Sequence, residues 1–164
     1  MKYLVLGLGN DLLADDAVGI QAVRGLAGEL SGKADCIESG LHGVALIDLF
    51  IGYDRAIIID AVQTGRHPPG TILELVPDDL KTVASPSPHY TGLPEMIELA
   101  RKMRLPFPRE IRILAVEVGD VTTVGGSMSP PVTRALVDLE NRVRQYVERW
   151  RAGTESNEAS QMEP

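Results

Sequence analysis

Apolar positions along the chain follow two alternating rhythms. Tyr3–Leu8 is a short unbroken apolar run, and the stretch Arg55-Ala-Ile-Ile-Ile-Asp60 is a second, β-branched one closed by a carboxylate. Runs of this length predict strands buried on both faces of a parallel sheet. Between them Val23, Leu26, Ala27 and Leu30 recur at i, i+3, i+4 and i+7, one face of an amphipathic helix opened by Asp15 or Asp16. Residues 34–38 predict a further strand and residues 43–50 a short helix, which completes a βαβαβ pattern. After the turn-rich QTGRHPPG come a strand over 71–76, a loop over 85–89, a helix over 92–103 and a strand over 110–116. The final helix is marked by Ser129 as cap, Pro130 and Pro131 in its first turn, and a stripe of Val132, Leu136, Leu139, Val143 and Val147.

Strands alternating with helices predict an α/β three-layer sandwich, with a mostly parallel, twisted sheet of about five strands and helices on both faces. A single domain over residues 1–151 is expected. Beyond it the small, polar run at 152–164 predicts a disordered tail. In such sheets chemistry gathers in the crevice beyond the carboxyl ends of the strands, where the strand order reverses.

Composition narrows the partners. The chain has 164 residues, 44% of them hydrophobic, enough for one sizeable core. A formal charge of -7 with no basic run argues against nucleic acid and against an anionic membrane surface. Cys36 is the single cysteine, so no internal disulfide or CxxC clip is available. The apolar stretch at the start is too short for a signal segment or a membrane span. A monomeric cytoplasmic protein is the expectation.

Gly7-Leu-Gly9 follows a strand and precedes a helix, as in a dinucleotide-binding turn, and Glu38 ends the next strand where a ribose-binding acid would stand. Against that reading, Leu12 replaces the third glycine, and Asp11, Asp15 and Asp16 place negative charge where a pyrophosphate would bind. The acidic turn suits a cation. Taken one at a time, Asp15 or Asp16 is explained as a helix cap, Asp60 as a turn residue and His89 as an exposed loop histidine. Taken together, Asp16, Asp60 and His89 all fall on the edge where the crevice forms. Two carboxylates and an imidazole are ligands for a divalent transition metal, whether nickel, zinc, iron or manganese. His42, between Gly40 and Gly43, is a lesser candidate for the same crevice, and His67 before Pro68 reads as turn chemistry. No H-E-x-x-H or G-x-S-x-G pattern is present, and Cys36 within a strand reads as structural.

Four ordered blocks resemble the nickel-iron hydrogenase maturation endopeptidases: GLGN with LLADDAVG, IIIDAV around Asp60, SPHYTGL around His89, and GGSMSPPV before the last helix. The likeness spans nearly the whole chain. It implies an endopeptidase that removes the C-terminal extension of the hydrogenase large-subunit precursor, with Asp16, Asp60 and His89 as both catalytic and metal residues. The metal it implies is a nickel ion carried by the substrate, for which another divalent ion can substitute in vitro. Two departures stand out: Glu38-Ser39-Gly40 replaces the Asp-Gly pair common in the family, and Met128 replaces a leucine. Whether the ion polarises the scissile carbonyl or only docks the substrate while Asp15 or Glu38 activates water stays open at this level. Rival readings are a non-catalytic nickel-binding maturation chaperone and a nucleotide-binding domain.

Overall fold

A computed structural model describes residues 1–82, 88–90 and 92–161. Its sheet has five strands, β1 (Tyr3–Leu8), β2 (Asp35–Ser39), β3 (Arg55–Val62), β4 (Ile72–Leu75) and β5 (Glu110–Glu117), in the spatial order β2-β1-β3-β5-β4. The first four in that order run parallel, and β4 pairs antiparallel with β5. A parallel return requires a crossover of a dozen or more residues, usually a helix. The turn at 63–71 is too short for one, so β4 comes back antiparallel.

The apolar strands are buried on both faces, as their continuous runs predict. Alternate side chains divide between two cores. Val5, Ile57, Ile59, Leu114 and Val116 face α1 (Val18–Leu26) and α4 (Pro130–Gln161). Leu4, Leu6, Leu8, Ile58 and Ile113 face α2 (Ile47–Phe50) and α3 (Leu93–Lys102), with Phe50, Leu93 and Met96 filling that layer. This is the three-layer α/β sandwich expected.

Several local expectations shift. The helix after β1 begins with a 3-10 turn, Ala14–Ala17, and neither that turn nor α1 is capped by a side chain, so Asp15 and Asp16 are not there as caps. Residues 43–50 split into a 3-10 turn (Gly43–Leu46) followed by α2. Asp60 does not close its strand, since β3 continues to Val62. The long last helix runs through residues 152–161, where the sequence predicts a disordered tail. Its extension is tied down at Thr154, which shares a hydrogen bond with the Tyr3 hydroxyl at 2.8 Å and donates to the Trp150 carbonyl at 2.9 Å. Residues 85–87 of the predicted loop and 162–164 of the tail lie outside the described residues.

The order places β1 between β2 and β3, so the chain reverses direction of travel across the sheet at the β1/β3 boundary. β1 stops early. Its last pair with β3 is Gly7 with Ile59, whereas β3 and β5 stay paired through Asp60 to Val62. Asp60 therefore stands just past the last β1–β3 pair, buried in the interior of a strand at the edge of the crevice.

Candidate metal and active site

The loop leaving β1 is shaped by glycine. Gly9 has φ 139°, and a Cβ there would run into the Asp16 carbonyl; a Cβ on Gly19 would run into the carbonyls of Leu8 and Ile59. No other residue fits at these two positions. Gly19, facing Gly7, thus lets α1 press against β1 and β3, and Gly9 lets the loop close on Asp16. The Asn10 backbone N–H, which a nucleotide phosphate would require, donates instead to Asp16 Oδ2 at 2.8 Å.

The adjacent aspartates divide their work. Asp15 is fully buried; it accepts from the Ser129 backbone N–H at 2.6 Å, the Ser129 hydroxyl at 2.9 Å and the Asp120 N–H at 3.3 Å. It clamps the loop after β5 and the start of α4 to the turn after β1. Ser129, just before α4, donates its hydroxyl to Asp15. Asp16 is half-buried and turns to the crevice.

There it meets the other two sequence candidates. Asp16, Asp60 and His89 each offer a ligand atom, all within 4.8 Å of one another; Asp60 and His89 are buried. The structure brings together the three residues that the sequence singles out from separate segments. His89 Nδ1 is 2.9 Å from the Leu41 carbonyl. A carbonyl only accepts, so Nδ1 carries the proton and the Nε2 lone pair is left as the donor to a metal, the arrangement in which metal-binding imidazoles are ordinarily held. This donor set fits a divalent ion of borderline softness.

Around the cluster the other groups separate clearly. Tyr90 is buried, and among the described residues its hydroxyl has no hydrogen-bond partner. Burial, then the charge of Asp60, holds that phenol well above its ordinary range, so it stays protonated. A groove of about 530 Å³ adjoins His89 and is lined by Gly9, Asn10, Asp11, Arg24, Glu38 and Gly40. In it Arg24 grips Glu38 with two hydrogen bonds, at 2.9 and 2.8 Å, and Asp11 with one at 2.9 Å. Cys36 is half-buried, and burial, then Asp35, pushes its thiol up, away from nucleophilic use. The exposed ring of His42 lies 6.5 Å from that of His89, centre to centre. His67 is exposed in the turn after β3 and does not join the cluster. The Leu41 carbonyl and the Asp15 clamp were invisible in the sequence, the first because it is backbone and the second because its partners lie 105 and 114 residues away.

The profile of the hydrogenase maturation protease family matches residues 20–146, well over half of the chain. The chain belongs to that family. It is 31% identical over 149 residues to the hydrogenase expression/formation protein HupD of Rhizobium leguminosarum bv. viciae, covering 87% of this chain and 73% of that protein. It is 28% identical over 150 residues to the hydrogenase 2 maturation protease of Escherichia coli (strain K12), covering 85% and 91%. Its fold superposes on the hydrogenase maturating endopeptidase HybD from E. coli with a TM-score of 0.76, at 25% identity over 91% of this chain and 93% of that one. The [NiFe] hydrogenase maturation protease HybD from Thermococcus kodakarensis gives a TM-score of 0.73 at 25% identity, covering 90% and 99%. As a hydrogenase maturation protease the chain is a peptidase, and its crevice is the place in the fold where peptide chemistry is to be sought.

Proposed function

We propose that this maturation protease removes the C-terminal extension of a hydrogenase large-subunit precursor, and that it recognises the nickel ion the precursor carries. The observation that supports this reading is the convergence of Asp16, Asp60 and His89 within 4.8 Å just past the last β1–β3 pair. Two carboxylates held this close favour a cation between them. The nickel belongs to the substrate, and the three side chains grip it from one side, leaving its remaining positions to the precursor's own ligands.

Gripping the ion positions the scissile bond beside it, which converts an encounter into an oriented reaction. A divalent ion so placed acts as a Lewis acid toward a carbonyl oxygen. Hydrolysis adds water across the C–N bond: oxygen goes to the carbonyl carbon, one proton reaches the leaving nitrogen, and the bond breaks. Asp15 is unsuited to take the water's proton, because both its oxygens accept hydrogen bonds in a buried clamp. Glu38 lines the same groove as His89 and is the carboxylate available for that step once Arg24 yields it.

The test is cleavage of purified precursor with and without nickel. Nickel-loaded precursor is expected to shorten and nickel-free precursor to stay intact, with His89→Ala inactive on both while keeping its circular dichroism. Equal processing of the two precursors would refute nickel recognition, and nickel binding with no cleavage would mark a maturation chaperone instead.

A further inference from the structure

His42 stands apart from the three converging residues, and its geometry is unexplained by the fold. Its ring is exposed, tilted 55° to that of His89, with centres 6.5 Å apart, and among the described residues it has no side-chain hydrogen-bond partner. The two histidine segments are fastened together on either side of it. On one side the Leu41 carbonyl accepts from His89 Nδ1 at 2.9 Å. On the other, Gly43 packs against Gly92, close enough that a Cβ on Gly92 would stand 3.7 Å from the Gly43 Cα.

The backbone also leaves His42 free to turn. Its own conformation is extended, at φ -147° and ψ 159°, before the 3-10 turn begins, and Gly43 follows at φ 58°. With metal–nitrogen bonds of about 2.1 Å, two imidazoles on one ion place their ring centres roughly 5 to 6 Å apart. The observed separation exceeds this by little, and the exposed side chain of His42 is the part that would rotate to close it.

The geometry points to His42 as a fourth protein ligand, swinging from the loop after β2 onto the same divalent cation that Asp16, Asp60 and His89 hold. This rests on the reading of those three as one cation site. It gives the chain a set of two carboxylates and two imidazoles, of which three are fixed by burial or backbone and one is hinged at the surface. An added imidazole selects for borderline divalent metals such as nickel, cobalt and zinc over magnesium or calcium.

The experiment uses the full chain loaded with one equivalent of nickel(II) or cobalt(II) and no precursor. X-ray absorption counts the imidazoles by their multiple scattering, and competition with a chromophoric chelator gives the affinity. Two imidazoles are expected in the wild type and one in His42→Ala and His42→Gln, while His67→Ala keeps both. Affinity should fall in the His42 variants by at least about tenfold, the lower end of what losing even an outer-sphere partner costs. One imidazole in the wild type, or unchanged affinity in both His42 variants, overturns the assignment and leaves the three-residue site standing. Failure of the wild type to bind either ion overturns the fourth-ligand assignment and the three residues as a free-ion site, while recognition of precursor-borne nickel is decided by the cleavage test.

Discussion

Two neighbouring aspartates of identical chemistry do opposite jobs, and burial decides which does what. Fully buried Asp15 receives three hydrogen bonds from half-buried groups of Asp120 and Ser129, so truncating it loses charge-assisted bonds and takes the partner from two N–H groups and a hydroxyl. Asp15→Ala is expected to lower unfolding free energy by about 3 kcal/mol, read as a shifted urea midpoint. Asp16→Ala should leave that midpoint nearly unmoved and weaken nickel binding, because Asp16 accepts a single hydrogen bond at the half-open crevice. Reversed results would exchange the two roles. His89 carries the same lesson from the other side: its identity is a sequence fact, but its tautomer is set by a backbone carbonyl on a different loop.

At the level of elements, the loops that leave the carboxyl ends of the strands hold one another in place. The segment after β5 is built on Asp120, which accepts from the N–H groups of Thr122 and Thr123 at 2.9 and 3.0 Å while its own N–H reaches Asp15. Hydrogen bonds from the Thr123 side chain and then from the Thr122 and Thr123 backbone hold its carboxyl down to about 2. An unfolded aspartate titrates near about 3.9, so this contribution is complete above about pH 4 and disappears as pH falls toward the folded value. Asp120→Asn should therefore melt below the wild type near about pH 6, and the gap should close between about pH 4 and pH 2. A gap independent of pH would assign the loop's order to something other than this carboxylate. The periodicities of strands and helices predict each element's type, but they miss both the 3-10 turns and the extra residues of β3, which keep it paired with β5 beyond its last pair with β1.

For the molecule as a whole, α4 is the element that closes one face. Trp150 is buried, its ring 5.7 Å from that of Tyr3 and 5.8 Å from that of Tyr146, with the Arg55 guanidinium 5.6 Å above it. The Tyr3 hydroxyl lies 3.1 Å from the Trp150 carbonyl, at the start of β1 and so at the opposite end of that strand from the crevice. Trp150→Ala is expected to cost about 3 to 5 kcal/mol of stability while leaving affinity for nickel within about twofold. Loss of ion binding in a variant that is still folded would show that the far end of the sheet controls the site. No helix among the described residues is long and apolar enough to cross a membrane.

The sequence by itself determined the alternating elements, the two-faced burial of β1 and β3, and the residue types able to hold a divalent ion. These follow from local pattern, since periodicity and chemical identity are written residue by residue. Tertiary structure alone decided that Asp15 is a buried clamp on Ser129 and Asp120, that Asp60 stands just past the last β1–β3 pair, and that His42 comes beside His89. Each of those depends on where strands end relative to their neighbours and on partners far along the chain, and no local pattern records a distance between segments that meet only when folded.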